Sequence, residues 1–121
     1  MKILFADDQS AMKLLIRKSL AAEFPAGLIE DVANGQELVT RALTDQWDLV
    51  ISDISMPIMT GLEALEEIRK HAPNLPVIIL SSHSEEKYIQ YAIKAGASAY
   101  VHKFRIHEDL SRTIRRVMGL G

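Results

Sequence analysis

The chain contains no cysteine in 121 residues. Disulfides, thiolate metal ligands and thiol nucleophiles are therefore excluded, and the fold needs no oxidising compartment. No apolar stretch approaches the ~20 residues of a membrane span. The N-terminus, with a single Lys2 ahead of Ile3-Leu4-Phe5, lacks the shape of a signal peptide. Charge of one sign is also missing: 14 Lys and Arg stand against 16 Asp and Glu, for a net −2, so nothing draws the whole molecule toward nucleic acid or an anionic membrane surface. These absences predict a cytoplasmic protein. The charge is unevenly placed, however, with Asp7 and Asp8 close to the start and Lys103, Arg105, Arg112, Arg115 and Arg116 near the end. By length the chain predicts one domain over residues 1–121, large enough to bury roughly two-thirds of the surface its unfolded chain exposes.

The most informative stretch is Asp48-Leu49-Val50-Ile51-Ser52-Asp53-Ile54-Ser55-Met56-Pro57. A short apolar run bounded by polar residues reads as a strand buried on both faces, and Pro57 stops the ladder. In an open α/β sheet, ligands gather just outside the carboxyl ends of the strands. Asp53 is delivered to that place.

Other strands are expected at Lys2–Ala6, Leu28–Ala33, Val77–Leu80 and Ser98–His102. Between them, apolar residues recur at helical spacing. Met12, Leu15, Ile16, Leu20 and Phe24 mark a first helix, with Ser10 as its expected N-cap. Asn34 and Glu37 resemble a capping box ahead of Leu38, Val39 and Ala42, and Thr60-Gly61-Leu62-Glu63 is a full T-x-x-E box ahead of Leu65 and Ile68. A fourth helix from about Glu85 to Lys94 should turn Ile89, Ala92 and Ile93 inward, before Gly96. A fifth, from about His107 to Met118, carries Leu110, Ile114, Val117 and Met118 on one face. Five strands alternating with five helices predict a parallel sheet covered on both faces, with right-handed crossovers. The apolar first, third and fourth strands belong inside. The second, interrupted by Glu30-Asp31, and the fifth belong at the edges. A doubly wound (βα)5 sandwich of order 2-1-3-4-5, the flavodoxin-like topology, satisfies this, and its switch point lies between strands one and three.

That order makes Asp7, Asp8 and Asp53 converge. Like charges above an apolar sheet raise pKa values or demand a cation. Mg²⁺ is the hard ion commonly held by one or two carboxylates together with a phosphate. A carboxylate can also attack phosphorus to give an acyl phosphate, and Asp53, alone on the central strand, is the candidate nucleophile. Ser81 and Lys103, at the ends of strands four and five, reach the same rim. A hydroxyl and an ammonium supply most of what phosphoryl transfer needs beyond positioning. Taken singly, Asp7-Asp8 reads as a strand-end turn or helix cap, Ser81 as a strand terminator beside its rival Ser82, Lys103 as a solvated lysine, and Tyr100 evenly as packing or as a switch. The set changes the reading. His71, His83, His102 and His107 have no metal-ligand spacing, and the arginines of the last helix read as a solvated face.

Asp7-Asp8, Asp53-Ile-Ser-Met-Pro57 with Gly61, Ser81 after an apolar strand, and Gly96-Ala-Ser-Ala-Tyr100-Val-His-Lys103 together resemble the receiver domain of two-component response regulators, such as the chemotaxis regulator. The resemblance covers nearly the whole chain. It implies that Asp53 takes a phosphoryl group from a histidine kinase, a phosphotransfer protein or a small phosphodonor. It further implies that Asp8, Asp53 and the backbone carbonyl of Ser55 bind Mg²⁺, with Asp7 acting through metal-bound water. Ser81 would hydrogen-bond the phosphoryl group, Lys103 would pair with it, and Tyr100 would be the aromatic that reports the change. The face of helix four, strand five and helix five would then change its affinity for a partner or a second copy. Phe104 stands where family members often carry proline, Thr60 where many carry Asp, and His83 at a position implied to tune the phosphoryl lifetime. Loss of that proline is similar to regulators with a C-terminal helix-turn-helix domain. DNA would be reached only through such a domain, and the residues present predict no nucleic-acid or membrane contact of their own.

Two other classes compete. A small Mg²⁺-dependent phosphohydrolase would use Asp53 or Asp7 as nucleophile, but the acids of strand one are adjacent rather than spaced D-x-D. A flavin-binding module would need a Ser/Thr/Gly-rich phosphate loop where this chain has two acids.

Overall fold

The computed structural model describes residues 1–83 and 85–120, so Ser84 of the fourth strand-to-helix loop and the terminal Gly121 lie outside the described residues. Its elements alternate: β1 Lys2–Ala6, α1 Ser10–Glu23, β2 Leu28–Val32, α2 Gly35–Thr44, β3 Leu49–Asp53, α3 Gly61–His71, β4 Val77–Ser81, α4 Glu86–Lys94, β5 Ala99–His102 and α5 Ile106–Met118. All pairings are parallel and the sheet runs β2-β1-β3-β4-β5. This is the topology that strand hydropathy predicts. Among the described residues no helix is long and apolar enough to cross a membrane.

Successive side chains of a strand point to opposite faces, and here both faces are apolar. Leu4, Val50 and Ile79 look toward α2, α3 and Ala92 of α4. Ile3, Phe5, Leu49, Ile51, Ile78 and Leu80 look toward α1 and α5. Every residue of β3 and β4 is buried, whereas at the edge β2 begins with an exposed Leu28. Glu30 and Asp31, which interrupt β2, pair with Arg41 of α2 and with Lys13 and Arg17 of α1.

The capping expectations divide. Thr60 and Glu63 form the full reciprocal box, with Glu63 N–H donating to Thr60 Oγ1 at 3.2 Å and Thr60 N–H to Glu63 Oε1 at 3.0 Å. Asn34 caps α2 through the Glu37 N–H at 2.9 Å, but the Glu37 carboxylate returns to the Asn34 side-chain amide rather than to the backbone. Ser10 is not a cap. It is the first helical residue; Gln9 occupies the cap position and makes no side-chain cap bond. The Gln9 N–H donates to Asp7 Oδ1 at 2.8 Å, a turn that orients the acid just beyond β1. Ile93 is a second correction. It is 56% exposed, because α4 lies on the sheet through Ala92, its single buried residue.

After β5 the chain makes one 3₁₀ turn, Lys103–Arg105, and α5 follows at once. The His102 imidazole accepts the Phe104 N–H at 3.3 Å, and the Phe104 ring stands 80% exposed. On the opposite side of the chain path, Arg69 of α3 donates to the carbonyls of Ala72, Leu75 and Gly96, tying two turns to one side chain.

Gly61 opens α3 against the end of β3. Its N–H donates to the Ile54 carbonyl at 3.0 Å, and a Cβ there would lie 1.9 Å from the Asp53 carbonyl oxygen. Only a residue without a side chain lets the helix start so close to the strand. Gly61→Ala is expected to destabilise the fold by about 1–3 kcal/mol or more, the scale of overpacking in a tight interior. Urea denaturation reads this, and an unchanged midpoint would show that the contact is not limiting.

Candidate functional site

The parallel register determines what meets at the carboxyl edge of the sheet. Ala6 pairs with Ser52, Asp53 with Leu80, and Ser81 with His102. The residues just beyond those pairs, Asp7 and Lys103, therefore emerge on either side of Asp53. Asp7 and Ser81 have no exposed surface, Asp53 is 5% exposed, and Asp8 is open to solvent.

Carboxylate oxygens of Asp7, Asp8 and Asp53 lie within 4.8 Å of one another. Lys103 Nζ donates to Asp53 Oδ2 at 2.8 Å and stands 3.1 Å from Asp7 Oδ2. The second approach is close enough to pair the charges, but it leaves Asp7 Oδ2 buried without a hydrogen bond. Ser55 N–H reaches Asp53 Oδ1 at a long 3.4 Å. One ammonium thus faces two of the three clustered carboxylates, and the donor set is all oxygen, which suits a hard cation.

The electrostatics follow from burial. Asp53 has its pKa raised, chiefly by burial and further by the Asp7 charge. The Lys103 hydrogen bond and charge and the Ser55 N–H oppose this without cancelling it. Burial alone would lower Lys103, yet the Asp53 hydrogen bond and the charges of Asp53 and Asp7 outweigh burial and raise it. Lys103 is held as a cation by the acids it serves.

Ser81 Oγ accepts the His83 N–H at 2.9 Å, and the Tyr100 hydroxyl donates to the His83 carbonyl. Burial raises the Tyr100 pKa, with the nearby Ser81 hydroxyl acting against it. Ser82 is exposed and turns outward. Ser55 lies at the exposed lip of the β3–α3 loop. The structure therefore gathers Asp7, Asp8, Asp53 and Lys103 in one crevice and places Ser81 and Tyr100 together beside it around the peptide of His83. Two contributors carry no side-chain signal in the sequence: the Gln9 N–H that orients Asp7, and the His83 main chain that holds both Ser81 and Tyr100.

The family model described as the response regulator receiver domain matches residues 3–115. The chain belongs to that family. The receiver domain is 30% identical over 115 residues to the response regulator protein VraR of Staphylococcus epidermidis, a match covering 95% of this chain and 55% of that protein. The chain thus spans about half the length of such curated relatives. Among solved structures, a DNA-binding response regulator of the LuxR family from Staphylococcus aureus superposes with a TM-score of 0.88 at 33% identity, over 97% of this chain and 98% of that one. Chemotaxis protein CheY4 of Vibrio cholerae gives 0.86 at 27% identity, over 96% and 97%.

The raised Asp53 pKa sets a pH dependence for this receiver domain. Below the unfolded value of 3.8 the carboxyl is protonated whether the chain is folded or not. As pH climbs from there through the higher folded value, the unfolded chain ionises first, so stability is lost, and the loss persists at neutral pH. Asp53→Asn is expected to be more stable than wild type at neutral pH without divalent ions, with the gain closing as pH falls below the carboxylate range. Thermal melts across that range test it. A gain independent of pH would mean that the burial of charge is not its source.

Proposed function

We propose that residues 1–121 act as one cytoplasmic phosphoacceptor switch in which Asp53 receives a phosphoryl group from a histidine kinase or phosphotransfer protein, or from a small phosphodonor. The observation that carries this is the ammonium of Lys103 bridging two buried carboxylates, Asp53 and Asp7, with Asp8 completing an all-oxygen cluster. An Asp53 carboxylate oxygen attacks phosphorus. The phosphorus–nitrogen bond of a phosphohistidine, or the bond to the leaving oxygen of an acyl phosphate, breaks as the acyl phosphate on Asp53 forms. Lys103 pairs with one phosphoryl oxygen and the Ser81 hydroxyl donates to another, so charge on the transferring group meets donors already in place. Asp8, Asp53 and the Ser55 carbonyl would hold Mg²⁺, with Asp7 acting through its water. The ion supplies neutralisation of phosphoryl charge. No separate substrate is turned over.

Phosphorylation adds about −2 charge beside Ser81 and Lys103. Drawing Ser81 toward the phosphoryl group, with Lys103 already at Asp53, moves Tyr100 and the surfaces of α4, β5 and α5, which offer a site for a partner or a second copy of the chain. A coupling of ~1–3 kcal/mol is ordinary for such switches. The family and the partial coverage of its relatives support a place inside a longer regulator, with any DNA contact made by a further domain rather than by these residues.

Incubation with acetyl phosphate and Mg²⁺ is expected to add one phosphoryl mass to the wild type and none to Asp53→Asn by intact mass spectrometry. Equal gain in both, or none in the wild type, ends the reading. Mg²⁺ at 100 times its dissociation constant should stabilise the wild type by about 2.7 kcal/mol. An Asp8→Ala variant stabilised to the same degree would remove Asp8 from the cation site.

A further inference from the structure

One residue beside the crevice carries more connections than its place in the chain suggests. His83 donates its N–H to Ser81 Oγ at 2.9 Å and accepts the Tyr100 hydroxyl at its carbonyl. Its imidazole stacks on Tyr88 of α4, with centroids 4.1 Å apart and planes 19° from parallel. Tyr88 in turn meets Tyr91 edge to face at 6.2 Å. Tyr91 is 55% exposed and lines a cleft of about 480 Å³ between α3 and α4, opposite Leu62 and Arg69 and beside Lys94. A line of three rings therefore runs from the main chain at the switch hydroxyl to an open cleft on the face of α4 that looks toward α3.

We propose that His83 is a positioning residue that transmits the state of Asp53 along this ring stack and reshapes the α3/α4 cleft. The proposal rests on the reading of Ser81 as the phosphoryl-binding hydroxyl. When Ser81 turns toward a phosphoryl group, its oxygen leaves the His83 N–H, and a part-buried backbone donor must find a new partner. The peptide of residue 83 then has to move, and Tyr100, bonded to the same residue, moves with it. The imidazole cannot stay behind, because it is carried by that peptide. Its stacked partner Tyr88 sits on a helix with one buried residue out of nine, against four in α3. Displacement of α4 thus breaks little packing, and a weakly held element is the kind that a small local change can shift between arrangements. The aromatic contact makes α4 follow the imidazole rather than drift independently.

The test uses the whole chain, with NMR of the tyrosine rings, assigned through Tyr88→Phe and Tyr91→Phe, before and after acetyl phosphate and Mg²⁺. Intact mass measures occupancy. In the wild type the Tyr91 ring signals should shift on phosphorylation. In His83→Ala the Tyr91 shift should be lost while Tyr100 still responds, and His83→Phe, which keeps a flat ring on the same backbone, should restore it. Tyr88→Leu, which leaves residue 83 intact, should lose the Tyr91 shift in the same way, so a poorly folded His83 variant does not decide the matter. A phosphorylated wild type with an unmoved Tyr91, or His83→Ala and Tyr88→Leu with the full shift, overturns the proposal and leaves phosphorylation of Asp53 standing. A wild type that takes up no phosphoryl group overturns the reading of Asp53 and this coupling with it.

Discussion

Lys103 stands 2.8 Å from Asp53 and 3.1 Å from Asp7, and this three-body contact is the constraint around which the rest of the edge is arranged. Two carboxylates buried at the ends of adjacent central strands repel each other, and an apolar sheet beneath them gives no screening. The ammonium arrives from β5, two strands away from β3, so the crevice exists only when β1, β3, β4 and β5 are paired in the right order. Even then the charge is incompletely balanced. Asp7 Oδ2 lacks a hydrogen bond, and burial still raises Asp53. The site is held at a cost that a bound cation would relieve.

The scaffold explains how that cost is tolerated. β3 and β4 are buried throughout, and the two apolar clusters on the faces of the sheet contain the large fully buried side chains, among them Phe5, Leu49, Ile51, Ile78 and Ile79. Stability is concentrated beneath the crevice, while its rim is built from short loops and from α4, which buries little. On the proposed reading, that division lets chemistry at the strand ends disturb the rim without disturbing the core. It also places Ser81, His83, Tyr100 and α4 next to one another.

Much of the fold was legible because its signals are local. Apolar runs of four or five residues, cap residues and turn residues located ten elements to within about two residues, the scatter expected at element ends. Strand hydropathy ordered the sheet, since a strand covered on both faces must be apolar on both. The misses were of two kinds. Ser10 has the chemistry of a cap, but α1 starts one residue earlier than that role requires, so Ser10 is already helical and Gln9 stands at the cap position. Ile93 has helical spacing from Ile89, but α4 contacts the sheet over so narrow a strip that only Ala92 is buried. In both cases the path of the folded backbone overrode a correct local preference.

By itself the sequence determined the alternation of strands and helices, the acids at the ends of strands one and three, and the family to which those motifs point. These depend on residue type and spacing, which survive without coordinates. Tertiary structure alone decided that Lys103 touches Asp53 and Asp7 together, that Asp7 is oriented by the Gln9 backbone, and that His83 joins Ser81, Tyr100 and Tyr88. Those contacts span separations such as the fifty residues from Asp53 to Lys103 or run through main-chain atoms that every residue shares. No pattern of side chains encodes which N–H or carbonyl will be nearest once the strands have paired.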